Sequence, residues 1–256
     1  MFASAVRRNA VARKVLAAAA TGACLVLAGC SGSASEPPGD NVGTRLHQQV
    51  PASLLHLPLR DETGRTRQLA DFGGKVLVIS DAMTLCQETC PIDTAELVQT
   101  ARRIDAAGQG AKVEFLSITV DPERDTPHRL AAYRGLFARP PANWTLLTGK
   151  PADVHALWKW FGVYWHKVPD GKPAPRDWLT GRPLSYDVTH SDEVFFLQGG
   201  LERFLLEGRP HVAKGSEIPP RLYRFMSAAG HHNVHHAEPG AWTVGQAVQV
   251  IRWLEG

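Results

Sequence analysis

The feature that most constrains the fold of this 256-residue chain is a short apolar run that leads directly into two cysteines and a helix signal. Residues Lys75–Ser80 are nearly all aliphatic, which is typical of a strand buried on both faces of a sheet. A helix is predicted over Pro91–Ala107, with apolar side chains at helical spacing and Gly108 as its stop. Cys86 and Cys90 therefore lie where a buried strand meets the start of a helix.

The rest of the chain alternates between strand and helix patterns. Strands are predicted over Val113–Val120, Trp144–Leu147 and Val163–Val168, helices over Thr126–Phe137, Pro151–Phe161 and Thr243–Leu254, and hairpins around Asp61–Gly64 and Gly199–Gly200. This order predicts an α/β sandwich with a central mixed sheet. Because a thioredoxin-like fold carries its reactive sulfurs at such a strand–helix junction, we expect one thioredoxin-like domain over residues 51–256. Residues 207–242 are expected to form an insertion in it.

The positive charge of the chain is concentrated at its N-terminus. The formal net charge of +3 includes four basic residues before residue 30, and without them 24 basic side chains face 25 acidic ones. An excess confined to the N-terminus does not indicate a nucleic-acid-binding surface. A basic start followed by the apolar run Val15–Ala28 is typical of a secretory signal. The run is shorter than the roughly 20 apolar residues that a membrane span needs.

The apolar run ends in Leu27-Ala28-Gly29-Cys30, which resembles a bacterial lipobox, where the cysteine is lipidated after cleavage. The resemblance implies a lipoprotein signal peptide over residues 1–29 and a lipid on Cys30. An uncleaved anchor and a plain signal peptide are the alternatives. Residues 30–50 are rich in small residues, Pro and Gly, and are predicted to form a flexible tether. The protein is then expected at the cell membrane, lipid-anchored and facing the extracytoplasmic side.

The Cys86/Cys90 pair suits several kinds of chemistry. Residues four apart share a helix face, and a helix N-terminus stabilises a thiolate. Two soft thiolates are good ligands for Cu(I), with imidazole as a natural third ligand. Outside the cytoplasm the same pair can oxidise to a disulfide. The spacing alone leaves a metal site, a redox pair and a structural disulfide open.

Three motifs, in this order, resemble the Sco/SenC family: Cys86-x-x-x-Cys90-Pro91 after a buried strand, Asp121-Pro-Glu-Arg-Asp-Thr-Pro127, and Tyr186-Asp-Val-Thr-His190-Ser191. Members are membrane-anchored, thioredoxin-like copper metallochaperones that assist assembly of the dinuclear copper centre of cytochrome c oxidase. The resemblance implies that Cys86, Cys90 and His190 bind copper, as Cu(I) or Cu(II), and that the two cysteines form a disulfide when oxidised. The implied partner is the copper-site subunit of the oxidase. We expect a monomeric metal carrier rather than an enzyme.

An alternative function uses the same thiols. An extracytoplasmic thiol–disulfide oxidoreductase that keeps partner cysteines reduced would need Cys86 and Cys90 but not His190. The usual redox motif has two residues between its cysteines, whereas this chain has three. The motif Asp121–Pro127 is interpreted in either case as turn and N-cap chemistry that positions a loop near the site.

Two segments depart from the family pattern. Aromatic residues and a glycine or tyrosine usually precede the first cysteine, whereas this chain has Ser80-Asp81-Ala82-Met83. Asp81 and Met83 are in a position to alter the polarity or the redox potential of the site. A Met83 thioether could serve as a ligand to Cu(I), but packing in the core is the favoured role of Met83. The insertion contains His231-His232-Asn-Val-His235-His236, whose spacing suits a metal pair on a helix. Pro239-Gly240 nearby favours a solvated loop instead.

Overall fold

The computed structural model describes residues 36–256, so the predicted signal peptide over residues 1–29 and the predicted lipid site at Cys30 lie outside the described residues. The strands of the described part are β1 (Thr44–Gln49), β2 (Leu59–Asp61), β3 (Thr66–Arg67), β4 (Val76–Ala82), β5 (Val113–Thr119), β6 (Trp144–Gly149), β7 (Trp165–Val168), β8 (Asp187–His190), β9 (Glu193–Gln198) and β10 (Leu201–Glu207). The helices are α1 (Ala52–Leu55), α2 (Cys90–Ala106), α3 (Pro127–Arg134), α4 (Pro151–Phe161), α5 (Pro220–Phe225), α6 (Ala228–His235) and α7 (Val244–Glu255).

The main sheet is mixed, as predicted. Its strand order is β1-β10-β9-β4-β5-β6-β2-β3. Strands β4, β5 and β6 run parallel, whereas β9 and β10 form an antiparallel hairpin beside β4. The apolar run identified in the sequence is thus the strand between β9 and β5. Its first six residues are all buried, which explains the absence of any polar alternation until Ser80.

Helices cover the sheet and close the core. Helix α2 packs against α7, α7 contacts β4 and β9, and α3 and α4 contact β6. The Thr243 side chain accepts a hydrogen bond from the backbone N–H of Gln246, and the Gln246 side chain accepts one from the Thr243 backbone, so α7 begins with a complete capping box. Thr126 caps α3 in a similar way, with Pro127 as its first residue. The helix starts that the sequence predicted are therefore confirmed to within one residue.

Two segments differ from the sequence-based expectation. The tether expected over residues 30–50 is structured from residue 44, because Thr44–Gln49 pair with β10 as an antiparallel edge strand. This strand is almost entirely exposed and polar, so no hydrophobic pattern marks it. In the predicted insertion over residues 207–242, the histidine-rich segment that was favoured as a loop lies largely in helix α6, and a second short helix, α5, precedes it. Within residues 36–256 there is no helix with the length and apolar character that crossing a bilayer requires.

Candidate metal centre

The two cysteines lie at the end of the central strand. Cys90 is the first residue of α2, and Cys86 lies in the loop between β4 and that helix. The backbone N–H of Cys90 donates a weak hydrogen bond to Sγ of Cys86, at 3.4 Å. Both side chains are buried, with 8% of Cys86 and 1% of Cys90 exposed. They are free thiols in this structure.

His190 reaches the thiols from a part of the chain 100 residues after Cys90. It is the last residue of β8, paired with Trp165 of β7, and a turn leads from it into β9 beside β4. Its Nε2 lies 3.2 Å from Sγ of Cys90. The donor atoms of Cys86, Cys90 and His190 all lie within 4.8 Å of one another. The fold therefore brings together the three residues that the motifs singled out.

The other imidazole nitrogen of His190 faces two acceptors. Nδ1 lies 2.8 Å from the carbonyl oxygen of Ser191 and 2.7 Å from Oδ2 of Asp81. A nitrogen between a carbonyl and a carboxylate keeps its proton, so Nε2 is the nitrogen available to a metal ion. The side chains of His190 and Asp81 are only 4% and 2% exposed. The contact is consequently shielded from water.

The two thiols differ electrostatically. A hydrogen bond from Cys90, opposed by burial and supported by His190, lowers the pKa of Cys86 well below its ordinary value. Burial, together with the neighbouring Cys86, raises the pKa of Cys90 well above its ordinary value. Burial opposes a proton on His190, but Asp81 and Cys86 outweigh it and raise the pKa of His190 well above its ordinary value. Of the two thiols, Cys86 is therefore the more readily deprotonated.

A group of carboxyls surrounds the inner side of the site. Asp81, Asp93, Asp192 and Glu193 line one small cavity together with Trp242. Burial raises the pKa values of Asp192 and Glu193 to about 7, and burial with neighbouring acids raises that of Asp93 well above its ordinary value. Sequence reasoning missed this cluster, because its members come from β4, α2, the connection between β8 and β9, and the first residue of β9. Only the unusual Asp81 gave a signal.

The motif Asp121–Pro127 supports the thiol loop, which comprises residues 83–89 between β4 and α2 and contains Cys86. Oδ2 of the fully buried Asp125 accepts hydrogen bonds from the backbone N–H of Thr84, at 3.2 Å, and from the Thr119 hydroxyl, at 2.7 Å, and Oδ1 accepts one from the Thr84 hydroxyl. Asp121 pairs with Arg124 and accepts from the Tyr186 hydroxyl. These contacts confirm that the motif positions the loop before Cys86.

The insertion over residues 207–242 also contacts the thiol loop. The backbone N–H of Ser227 donates to the carbonyl oxygen of Gln87, at 2.9 Å. Gly230 of α6 lies so close to that oxygen that a Cβ atom there would overlap it. Gln87 stands between the two cysteines in sequence, so this segment braces the thiol loop. The sequence offered only a run of small residues, Ser227-Ala-Ala-Gly230, as a signal.

The histidine-rich segment is helical, contrary to the favoured loop. His231 packs edge-on against Tyr223, and the rings of His232 and His236 stack 3.9 Å apart on the exposed surface. Within the described part of the chain, the clusters of three or more metal-ligating side chains include none of these histidines. Met83 is 2% exposed and packs in the core, as expected.

The fold and the site together define a class: a thioredoxin-like α/β protein with a buried set of two thiols and one imidazole at the strand–helix junction. The SCO1/SenC family model matches residues 54–206, more than half of the chain. The chain therefore belongs to the SCO1/SenC family.

Known relatives give the extent of the likeness. The chain is 31% identical over 137 residues to the bovine mitochondrial protein SCO2 homolog, covering 54% of this chain and 50% of that one. It thus spans about half the length of the curated relatives it matches. A SCO1/SenC family lipoprotein from Bacillus anthracis is 20% identical, with a TM-score of 0.50 over 72% of this chain and 95% of the other. That likeness confirms the thioredoxin-like fold.

A structure of ScoI from Bradyrhizobium japonicum with copper bound is 21% identical, with a TM-score of 0.45 over 72% of this chain and 96% of the other.

Proposed function

We propose that this protein is a copper carrier that binds one copper ion through Cys86, Cys90 and His190. The observation that carries the proposal is the convergence of two buried thiols and one imidazole nitrogen within 4.8 Å. Thiolate and imidazole are the ligands that Cu(I) prefers, and three of them leave the ion open to exchange with a recipient. Oxygen-preferring ions such as Mg²⁺ and Ca²⁺ do not suit this donor set.

The recipient in this proposal is the copper-site subunit of cytochrome c oxidase, with delivery to its dinuclear copper centre. Membership of the SCO1/SenC family supports this role. The predicted signal peptide over residues 1–29 and the predicted lipid on Cys30 would hold the carrier at the outer face of the cell membrane, where a membrane-bound oxidase subunit is within reach. The carrier is proposed to work as a monomer.

Copper titration of the protein tests the ligand set. The native chain should hold one copper ion per molecule after dialysis, and Cys86→Ser/Cys90→Ser should hold none. His190→Ala should lose one nitrogen ligand in the Cu(II) resonance spectrum, whereas His211→Ala, which removes an exposed histidine, should bind as the native protein does. Equal copper retention by the native protein and the double cysteine variant would contradict the proposal.

A second candidate function is a thiol–disulfide oxidoreductase that keeps partner cysteines reduced. The observation that favours it is the asymmetry of the thiols, because the pKa of Cys86 is lowered while that of Cys90 is raised. A thiolate beside a thiol is the arrangement that attacks a disulfide and then resolves the mixed disulfide. His190→Ala separates the two functions: full disulfide reduction without copper binding would favour the reductase.

A further inference from the structure

Asp81 is an acid at an unusual place in the fold. It lies on β4, the strand between β9 and β5, and it follows a run of buried apolar residues. Burying a carboxylate costs free energy unless hydrogen bonds and opposite charge compensate. The packing of the buried apolar side chains of β4 does not by itself require an acid at position 81. The contacts that the side chain makes account for its place there.

The two oxygens of Asp81 have separate partners. Oδ1 accepts a hydrogen bond from the backbone N–H of Glu193, at 2.9 Å, and this bond fixes the carboxylate against the turn that follows His190. Oδ2 lies 2.7 Å from Nδ1 of His190. Among the described residues Oδ2 has no hydrogen-bond partner, so this close contact with His190 is an ion-pair contact rather than an aligned hydrogen bond. One oxygen therefore anchors the side chain, and the other is dedicated to the imidazole.

A carboxylate against the far nitrogen of a metal-binding histidine has two consequences. Its charge makes Nε2 a stronger donor, while the hydrogen bond between Nδ1 and the Ser191 carbonyl fixes the ring orientation. The carboxylate also adds a negative charge in a water-excluded place next to the ion. Charge in such a place stabilises a doubly charged ion more than a singly charged one.

We propose that Asp81 is a positioning residue which, through Nδ1 of His190, shifts the preference of the site toward Cu(II) over Cu(I). The inference rests on the proposed function, because it assumes that copper binds to Cys86, Cys90 and His190. Asp81 is not itself a ligand in this proposal. It sets the ratio of the binding constants of Cu(II) and Cu(I).

Asp81→Asn tests the proposal, because asparagine keeps the shape of the side chain and removes its charge. The dissociation constants of Cu(I) and Cu(II) are measured for the full chain by competition with chelators of known affinity. We expect the affinity for Cu(II), relative to that for Cu(I), to fall by about tenfold or more. A tenfold change in this ratio raises the one-electron potential of the bound copper by about 59 mV.

Asp93→Asn is the matched control. Asp93 lines the same cavity, but it makes no ion pair with His190 in the described structure. Its pKa is already raised well above the ordinary value by burial, so its replacement removes less charge. The affinity ratio of this variant should stay within about twofold of the native ratio.

The outcomes separate the inference from the proposed function. Equal losses of Cu(I) and Cu(II) affinity in Asp81→Asn would mean a merely structural role and would overturn the inference, as would an unchanged ratio. A native protein that binds neither ion would overturn the proposed function itself. If Asp81→Asn does not fold, Asp81→Ser, which adds no bulk, is expected to give the same fall in the ratio, and an unchanged ratio there contradicts the proposal.

Discussion

The part of the chain that the family model matches and the segment that follows it, residues 207–242, meet at the thiol loop in different ways. The matched part holds the loop with buried side chains, such as Asp125 under Thr84. The later segment holds it with main chain: the N–H of Ser227 donates to Gln87, and Gly230 closes onto the same carbonyl. A segment outside the matched part can thus support the thiol loop through close backbone contacts without supplying a metal ligand.

The largest expected effect is in the matched part. Asp125→Ala should lower the free energy of unfolding by about 3 kcal/mol, because it leaves three buried donors of Thr84 and Thr119 without an acceptor. Chemical denaturation measures the loss. The control is Glu123→Ala in the same loop, an exposed acid whose ion pair with Lys167 is screened by solvent and should contribute little. Equal effects of the two variants would mean that the buried support is unimportant.

A smaller effect is expected where backbone meets backbone. Gly230→Leu should cost about 2 kcal/mol, because the new side chain forces α6 away from the carbonyl of Gln87. The shift should also speed the reaction of Cys86 and Cys90 with a thiol reagent. Ala229→Leu, on the exposed face of the same helix, is the control and should change neither quantity. If Gly230→Leu leaves the thiols as slow as before, the segment does not brace the loop.

The smallest expected effect is the pH dependence of the contact between α2 and the segment over residues 207–242. Glu96 of α2 accepts hydrogen bonds from the backbone N–H of Ala213, and burial raises its pKa to about 7. The Glu96 carboxyl holds its proton more tightly in the folded state than in the unfolded chain. Its protonation therefore contributes fully to the free energy of unfolding below about pH 4.5, and this contribution is lost as the pH rises through about 7. Glu96→Gln should remove this loss, so its free energy of unfolding should rise relative to that of the native protein between pH 4.5 and pH 8.

The measurement for Glu96→Gln is chemical denaturation at both pH values. Glu207→Gln, at an exposed acid near the start of the same segment, should differ from the native protein by less than about 0.5 kcal/mol at either pH. A native protein whose stability does not fall relative to Glu96→Gln over this range would show that the contact between α2 and the later segment does not depend on charge.

Local patterns were sufficient to predict the central part of the fold. The apolar run at Lys75–Ser80 and the cap at Thr243 each encode a feature that needs no distant partner, and both elements are present. Strand β1 was missed because an exposed edge strand is defined by its pairing with β10 and not by its own composition. Helix α6 was missed because Pro239-Gly240 outweighed a short histidine-rich pattern.

The site was predictable only in part, for a related reason. Two thiols at a strand–helix junction are a local signal, and the motif around His190 named a third residue. The contacts of Asp81 with His190 and of Gly230 with Gln87 join residues more than 100 positions apart. No spacing in the sequence encodes such contacts, because the topology of the sheet and the path of the insertion create them.

The distance between Cys90 and His190 bears on the stability of a molecule that holds copper in the proposed way. Cys90 and His190 are separated by 100 residues of chain, yet their side-chain atoms lie 3.2 Å apart. An ion held by both would act as a cross-link across that length, and closing a loop of about 100 residues restricts the unfolded chain by as much as about 4.7 kcal/mol in the case of a disulfide. Release of the ion to a recipient would then also remove this cross-link. A copper-bound molecule would resist proteases longer than a copper-free one, so degradation would remove copper-free molecules first.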